Sequence, residues 1–287
     1  MEKLIITAAL TGNVPTRERT PHVPITPEEI ADDVECCAAA GASVFHVHAR
    51  DEQGRPTLDM AVFEDTVRRI KACTPEVIIQ LSTGARAGLD WEARANPVRL
   101  LPEMASFTTG SNNLPGIIYE NAPDFIAFLA GVFHDTGVKP EIEVFETGMI
   151  NNALYLVKKG LLATPLHFDF VLGAPGSMPG SVRNLVFLAD SLPPDSTWTV
   201  AGIGQAELPL ATAAIAMGGH VRVGIEDNLQ LPDGTLATNA QLVEKVAAIA
   251  RLMGREIASP EDARRILALN PRHRDRILTQ IDRTPTT

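Results

Sequence analysis

Two histidines separated by one residue, His46 and His48, fall in a short β-rich run at 43–49. Side chains two apart on a strand share a face, so both imidazoles point one way while Phe45 and Val47 point the other. At the usual strand rise they stand roughly 6.6 Å apart, from where both can turn onto one metal ion. A second run, 220–226, sets Arg222, Gly224 and Glu226 on one face and Val221, Val223 and Ile225 on the other. Glu226 is the candidate third ligand. Two histidines and a carboxylate with open positions suit a catalytic metal rather than a structural one. The plainer alternative is a pair of core histidines hydrogen-bonded to neighbouring acids.

The same alternation recurs elsewhere. Glu141 and Glu143 alternate with Ile142 and Val144, and Gln80 and Ser82 with Ile79 and Leu81. Buried parallel strands normally read as unbroken apolar runs, so an inward set of His, Arg, Glu, Ser and Gln is costly as mere filling. Ser82-Thr83-Gly84-Ala85-Arg86 ends the third run. There Gly84 lets backbone N–H groups approach a ligand carboxylate and Ser82 can donate one more bond, or the segment is an ordinary turn. The glycine-rich segments 173–180 and 202–205 are weaker signals of a mobile loop and a phosphate site. His22, His134, His167, Cys36 and Met178 read as packing or surface.

The elements that must hold these residues alternate along the chain. Eight β-rich runs, at 4–10, 43–49, 77–82, 104–109, 141–145, 167–172, 197–203 and 220–226, are separated by helical stretches. Thr26-Pro27-Glu28-Glu29 has the chemistry of a helix start, and Asn121-Ala122-Pro123-Asp124 and Ser259-Pro260-Glu261-Asp262 resemble it. Gly41, Gly137 and Gly160 fall where helices should stop. Strand–helix alternation predicts parallel strands with crossover helices, and eight units match a (β/α)8 TIM barrel, an α/β fold. A doubly wound open sheet is the competitor, but no GxGxxG follows the first run. The chain is expected to be one barrel domain, 1–287, with 257–287 as a C-terminal helical extension packed on the barrel bottom or on a neighbouring subunit. The inward polar residues cluster toward the C-terminal ends of their strands, where barrel enzymes keep their active sites.

Composition narrows the function classes. Of 287 residues, 45% are hydrophobic and 21% charged, the balance of a globular protein with a sizeable core. With 25 basic and 35 acidic residues the formal charge is −10, which repels nucleic acid and anionic membranes. No apolar run reaches the roughly 18 residues of a membrane span, and the N-terminus has no secretory pattern. Cys36, Cys37 and Cys73 form no framework; they are expected to be buried fillers in a reducing cytoplasm.

Several segments together resemble the β-keto acid cleavage enzyme family: 11–13 with 21–29, His46-Val47-His48-Ala49-Arg50-Asp51, 82–86, 145–149, and Val221-Arg222-Val223-Gly224-Ile225-Glu226-Asp227-Asn228. The resemblance implies a zinc-dependent barrel, usually a homotetramer. Such an enzyme moves the acyl skeleton of a β-keto acid onto coenzyme A, using acetyl-CoA and releasing acetoacetate. It implies zinc on His46, His48 and Glu226, Asp227 as base, Arg222 and Glu143 as its partners, and Ser82 and Ser106 as substrate contacts. Arg222 is expected to lower the pKa of Asp227, making a weak base that leaves most of the acidification to the metal. Asn13 stands near where the family's best-known member has a glutamate for a substrate amine, which implies a neutral, hydroxylated or differently charged β-keto acid. Two rivals stand beside it: a different metal enzyme on the same ligands, an Fe(II) enzyme or a zinc hydrolase or aldolase, and a non-catalytic barrel.

Overall fold

Eight short buried strands close on themselves in a computed structural model that describes residues 1–84, 86 and 88–283. Ala85 of the 82–86 motif and the last four residues of the expected extension lie outside the described residues. The barrel strands are β1 (Ile6–Ala9), β2 (Val44–Val47), β3 (Ile78–Leu81), β4 (Met104–Thr108), β5 (Lys139–Val144), β6 (His167–Leu172), β7 (Thr197–Gly202) and β8 (His220–Val223). Each pairs in parallel with its neighbours in sequence, and β1 pairs with β8, so the sheet is a closed barrel and not an open one.

Helices α1 (Pro27–Ala40), α2 (Met60–Cys73), α3 (Trp91–Arg99), α4 (Pro123–Thr136), α5 (Gly148–Lys158), α6 (Val182–Asp190), α7 (Glu207–Met217) and α8 (Asn239–Leu252) connect successive strands or follow the last. Their apolar faces bury Phe45, Phe107, Ile142, Val144 and Val221, the outward residues of the strands. No helix among the described residues is long and apolar enough to cross a membrane.

Local chemistry explains most boundaries. Thr26 caps α1 in a reciprocal capping box with Glu29, and Ser259 does the same with Asp262 at α9 (Pro260–Ile266). The start at 121–124 differs. The cap position is Ala122, without a side-chain bond, because Asn121 is drawn inward to Gly110 O and Arg94. Cysteine burial also differs: only Cys37 is buried, whereas Cys36 and Cys73 are exposed, since α1 and α2 turn those positions outward.

Beyond α8 the chain pairs Ile257 with Leu4 and lays α9 across the N-terminal mouth. Ala258, Ala263, Leu267 and Leu269 cover Ile5, Val44, Ile78 and Met104. Helix α10 (Arg276–Arg283) then runs back toward α2, where Asp282 accepts from Arg68.

Candidate active site

Three candidate ligands meet although they come from different parts of the barrel. His46 is on β2 and His48 lies just past it, and their Nε2 atoms face each other at 3.0 Å. Glu226 Oε1 is 3.2 Å from His48 Nε2, and Oε2 is 3.7 Å from His46 Nε2. One ligand atom from each residue falls within 4.8 Å of the others.

A divalent cation fits this set. Two nitrogens bound at 2.0–2.1 Å in tetrahedral geometry stand roughly 3.3 Å apart. Glu226 Oε2 is buried without a hydrogen-bond partner, a costly state that a cation relieves. Gln80 Oε1 accepts from His46 Nδ1, leaving the Nε2 lone pair for a metal. Burial drives the pKa of His46 down to about 4, against the pull of Glu226, so the ring is neutral. Burial alone would raise Glu226, but Arg222, helped by the hydrogen bond from His48, outweighs it and holds the carboxyl well below its ordinary range.

Glu226 does not reach this point as a strand residue. β8 ends at Val223, and Gly224 takes φ +151° with its Cα so close to Ala9 O that a Cβ would lie 2.1 Å from it. The chain therefore leaves the strand in a turn, and strict alternation stops. This corrects the reading of 220–226 as one strand, and it lets adjacent Glu226 and Asp227 face one centre. Gly12 completes the fit: at φ +57°, a Cβ there would sit 2.5 Å from Glu226 Cγ. Arg50 braces the same loop through the carbonyls of Thr11, Gly12 and Pro15.

Arg222 links the acids. It grips Asp227 in a fork, Nε to Oδ2 at 2.8 Å and Nη2 to Oδ1 at 3.1 Å, and reaches Glu226 Oε1 at 2.8 Å. Glu143 is 3.7 Å from its Nη1 and accepts more closely from Thr108 Oγ1, at 2.5 Å. The pKa of Asp227 is not lowered as expected. Burial raises it to about 6, and repulsion from Glu226 adds to that, so the pull of Arg222 is overcome. A carboxylate that titrates near neutrality is a stronger base than the sequence reading allowed.

A cavity of about 1050 Å³ opens at the C-terminal mouth, lined by Asn13, His48, Ser82, Arg222, Glu226 and Asp227 among others. Gly84 is buried beside Ser82, its N–H donating to Ser82 Oγ at 3.2 Å. Ser106 is buried beside Thr83, whose N–H donates to its Oγ at 3.1 Å.

Three contributors went unread in the sequence. Asp169, on β6, sits 3.5 Å from Arg222 Nη1. Its spacing from His167 was the available signal. Glu207 accepts from Gly224 N–H and Asn228 Nδ2 and so ties down the turn that carries Glu226. As the only charged residue in α7, it also was a signal. Tyr119, from a hairpin after β4, lines the cavity and had none.

Together these features define a (β/α)8 barrel with a His-His-Glu group and a buried arginine–carboxylate network at its mouth. The β-keto acid cleavage enzyme model matches residues 3–269, and the chain belongs to that family. It is 48% identical to a 3-keto-5-aminohexanoate cleavage enzyme of Fusobacterium nucleatum, over 94% of this chain and 99% of that one. It is 39% identical to a 3-oxoadipate:acetyl-CoA acetyltransferase of Cupriavidus necator, over 92% and 94%. Among solved structures, ObcA in complex with oxaloacetate superposes with a TM-score of 0.74 at 25% identity, over 87% of this chain and 68% of that one.

Proposed function

We propose that this protein is a zinc-dependent acyltransferase that converts a β-keto acid and acetyl-CoA into acetoacetate and a new acyl-CoA. The observation that carries the reading is the convergence of His46, His48 and Glu226 beside an Asp227 held by Arg222. A bound divalent cation would polarise the keto group and so acidify the carbon between it and the carboxylate. Asp227, gripped by Arg222 and facing the cavity, takes the proton from that carbon. The resulting carbanion attacks the acetyl carbonyl and releases CoA thiolate. The thiolate adds to the original keto carbon, the bond to the acetoacetate unit breaks, and Asp227 returns its proton to that leaving carbon. Glu143 supports Arg222, while Ser82 and Gly84 contact the substrate. By family likeness Ser106, beside Thr83, is a further substrate contact.

Asn13 supplies an amide where an ammonium-bearing substrate needs a carboxylate, which favours a neutral, hydroxylated or differently charged β-keto acid. We assign the protein to the cytoplasm, in keeping with three cysteines free of disulfides, and to a homotetramer by family likeness. Residues 1–287 form one barrel domain in this reading, with 257–287 its extension. A panel of β-keto acids incubated with acetyl-CoA tests the function. Acetoacetate is expected from at least one acid, abolished by a chelator and restored by zinc. No acetoacetate from any acid, or turnover that needs iron instead, overturns the reading.

A further inference from the structure

Arg94 is a buried cation without a counter-charge. It stands on α3 at 2% exposure and stacks on Phe125, with Cζ 3.8 Å from the ring centre. Nε donates to Thr83 O at 3.0 Å, Nη1 to Glu120 O at 3.0 Å and Nη2 to Asn121 Oδ1 at 2.6 Å. All three acceptors are neutral. Among the described residues no carboxylate comes within ion-pair distance. The fields of Glu143 and Glu120 reach it from beyond that distance, and Glu143 is committed to Thr108 and Arg222. Burying a charge this way costs several kcal/mol unless an anion balances it.

The geometry in front of Arg94 shows where that anion would sit. Arg94 N–H binds the Thr83 carbonyl, the same peptide's N–H at Gly84 donates to Ser82 Oγ, and the Ser82 hydroxyl is free to donate its own proton to a ligand. Such a chain of hydrogen bonds polarises along its length, so the charge of Arg94 strengthens the donor at its far end. The position of a Cβ on Gly84 lies 3.3 Å from Ser82 Oγ, 3.2 Å from Tyr119 Oη and 3.8 Å from Asn13 Nδ2. Burial pushes the Tyr119 phenol up to about 12, so it keeps its proton. Ser82 Oγ therefore sits on the cavity wall beside the His-His-Glu group, with Asn13 Nδ2 near it and Tyr119 Oη, which lies 3.5 Å from Thr108 Oγ1, on its other side.

We infer that Arg94 is a positioning residue for the substrate contact at Ser82, orienting and charging the Ser82 hydroxyl toward a substrate carboxylate through the Thr83–Gly84 peptide. The identity of the anion as a β-keto acid carboxylate rests on the function proposed above; the anion preference does not.

The test uses Arg94→Gln and Arg94→Lys in the zinc-loaded enzyme, with malonate and its uncharged diamide as probes in calorimetry. Arg94→Gln is expected to weaken malonate roughly tenfold, as the loss of charge-assisted bonding predicts, and to leave the diamide unchanged; Arg94→Lys falls between. In turnover, KM for the β-keto acid rises about as much, while KM for acetyl-CoA stays within about twofold. Equal weakening of both probes, unchanged malonate binding, or a lysine variant as impaired as the glutamine one overturns the inference. A wild type that binds malonate but turns over no β-keto acid sinks the transferase reading and leaves the Arg94 result standing.

Discussion

Neighbouring carboxylates at the mouth of the barrel differ in what they face, and that difference is testable. Glu226 Oε2 is buried without a hydrogen-bond partner, 3.7 Å from His46 Nε2, whereas both oxygens of Asp227 are held by Arg222. Glu226→Gln is expected to lose metal and activity together. Asp227→Asn keeps the metal and loses about 10²–10⁴-fold in turnover, the usual worth of a general base. Metal content and kcat of the purified variants decide this; an Asp227→Asn enzyme with normal turnover refutes the assigned base. Period-two alternation exposed His46, His48, Arg222 and Glu143 because these lie on or beside strands. The rule covered Asp169 as well, on the face of His167. It had no purchase on Arg94 and Tyr119, whose places in the site are set by tertiary packing of a helix and a hairpin.

At the scale of elements, the eight units and most helix starts were legible because capping and strand chemistry are local. The end of β8 was not: it is set by how closely Gly224 approaches Ala9 across the barrel. Glu207 secures the turn that follows, and burial raises its pKa to about 8, with repulsion from Asp227 adding to the effect. The folded state thus holds a proton that an unfolded Glu207 releases near pH 4.5. Its contribution to stability is complete below about 4.5 and is lost as pH rises toward 8, a loss of several kcal/mol. Glu207→Gln removes this dependence. Relative to the variant, wild type is expected to lose stability between pH 5 and 8 in urea unfolding; parallel curves for the two proteins contradict the assignment.

Across the whole molecule, the two ends of the barrel carry different burdens, as is usual for this fold. The cavity and the inward acids lie at the C-terminal ends of the strands, while α9 closes the N-terminal end over Ile5, Val44, Ile78 and Met104. Composition and strand count implied such an extension, but not whether it met the barrel or a second subunit, because an apolar face reads the same against either. What anchors it is a buried fork: Arg264 Nε and Nη2 donate to Glu103 at 2.6 and 2.9 Å. Glu103→Met leaves the Arg264 guanidinium with only the exposed Glu261, at 3.9 Å, as an ion-pair partner and is expected to cost about 3 kcal/mol. Replacing both residues by methionine removes the charge along with its partner and should recover most of that loss. Since the pair is remote from the mouth, kcat per folded molecule should be unchanged in both variants. Urea midpoints and active-site titration measure the two quantities separately. A double variant no more stable than Glu103→Met would mean that the fork orders the cap rather than merely neutralising a charge beneath it.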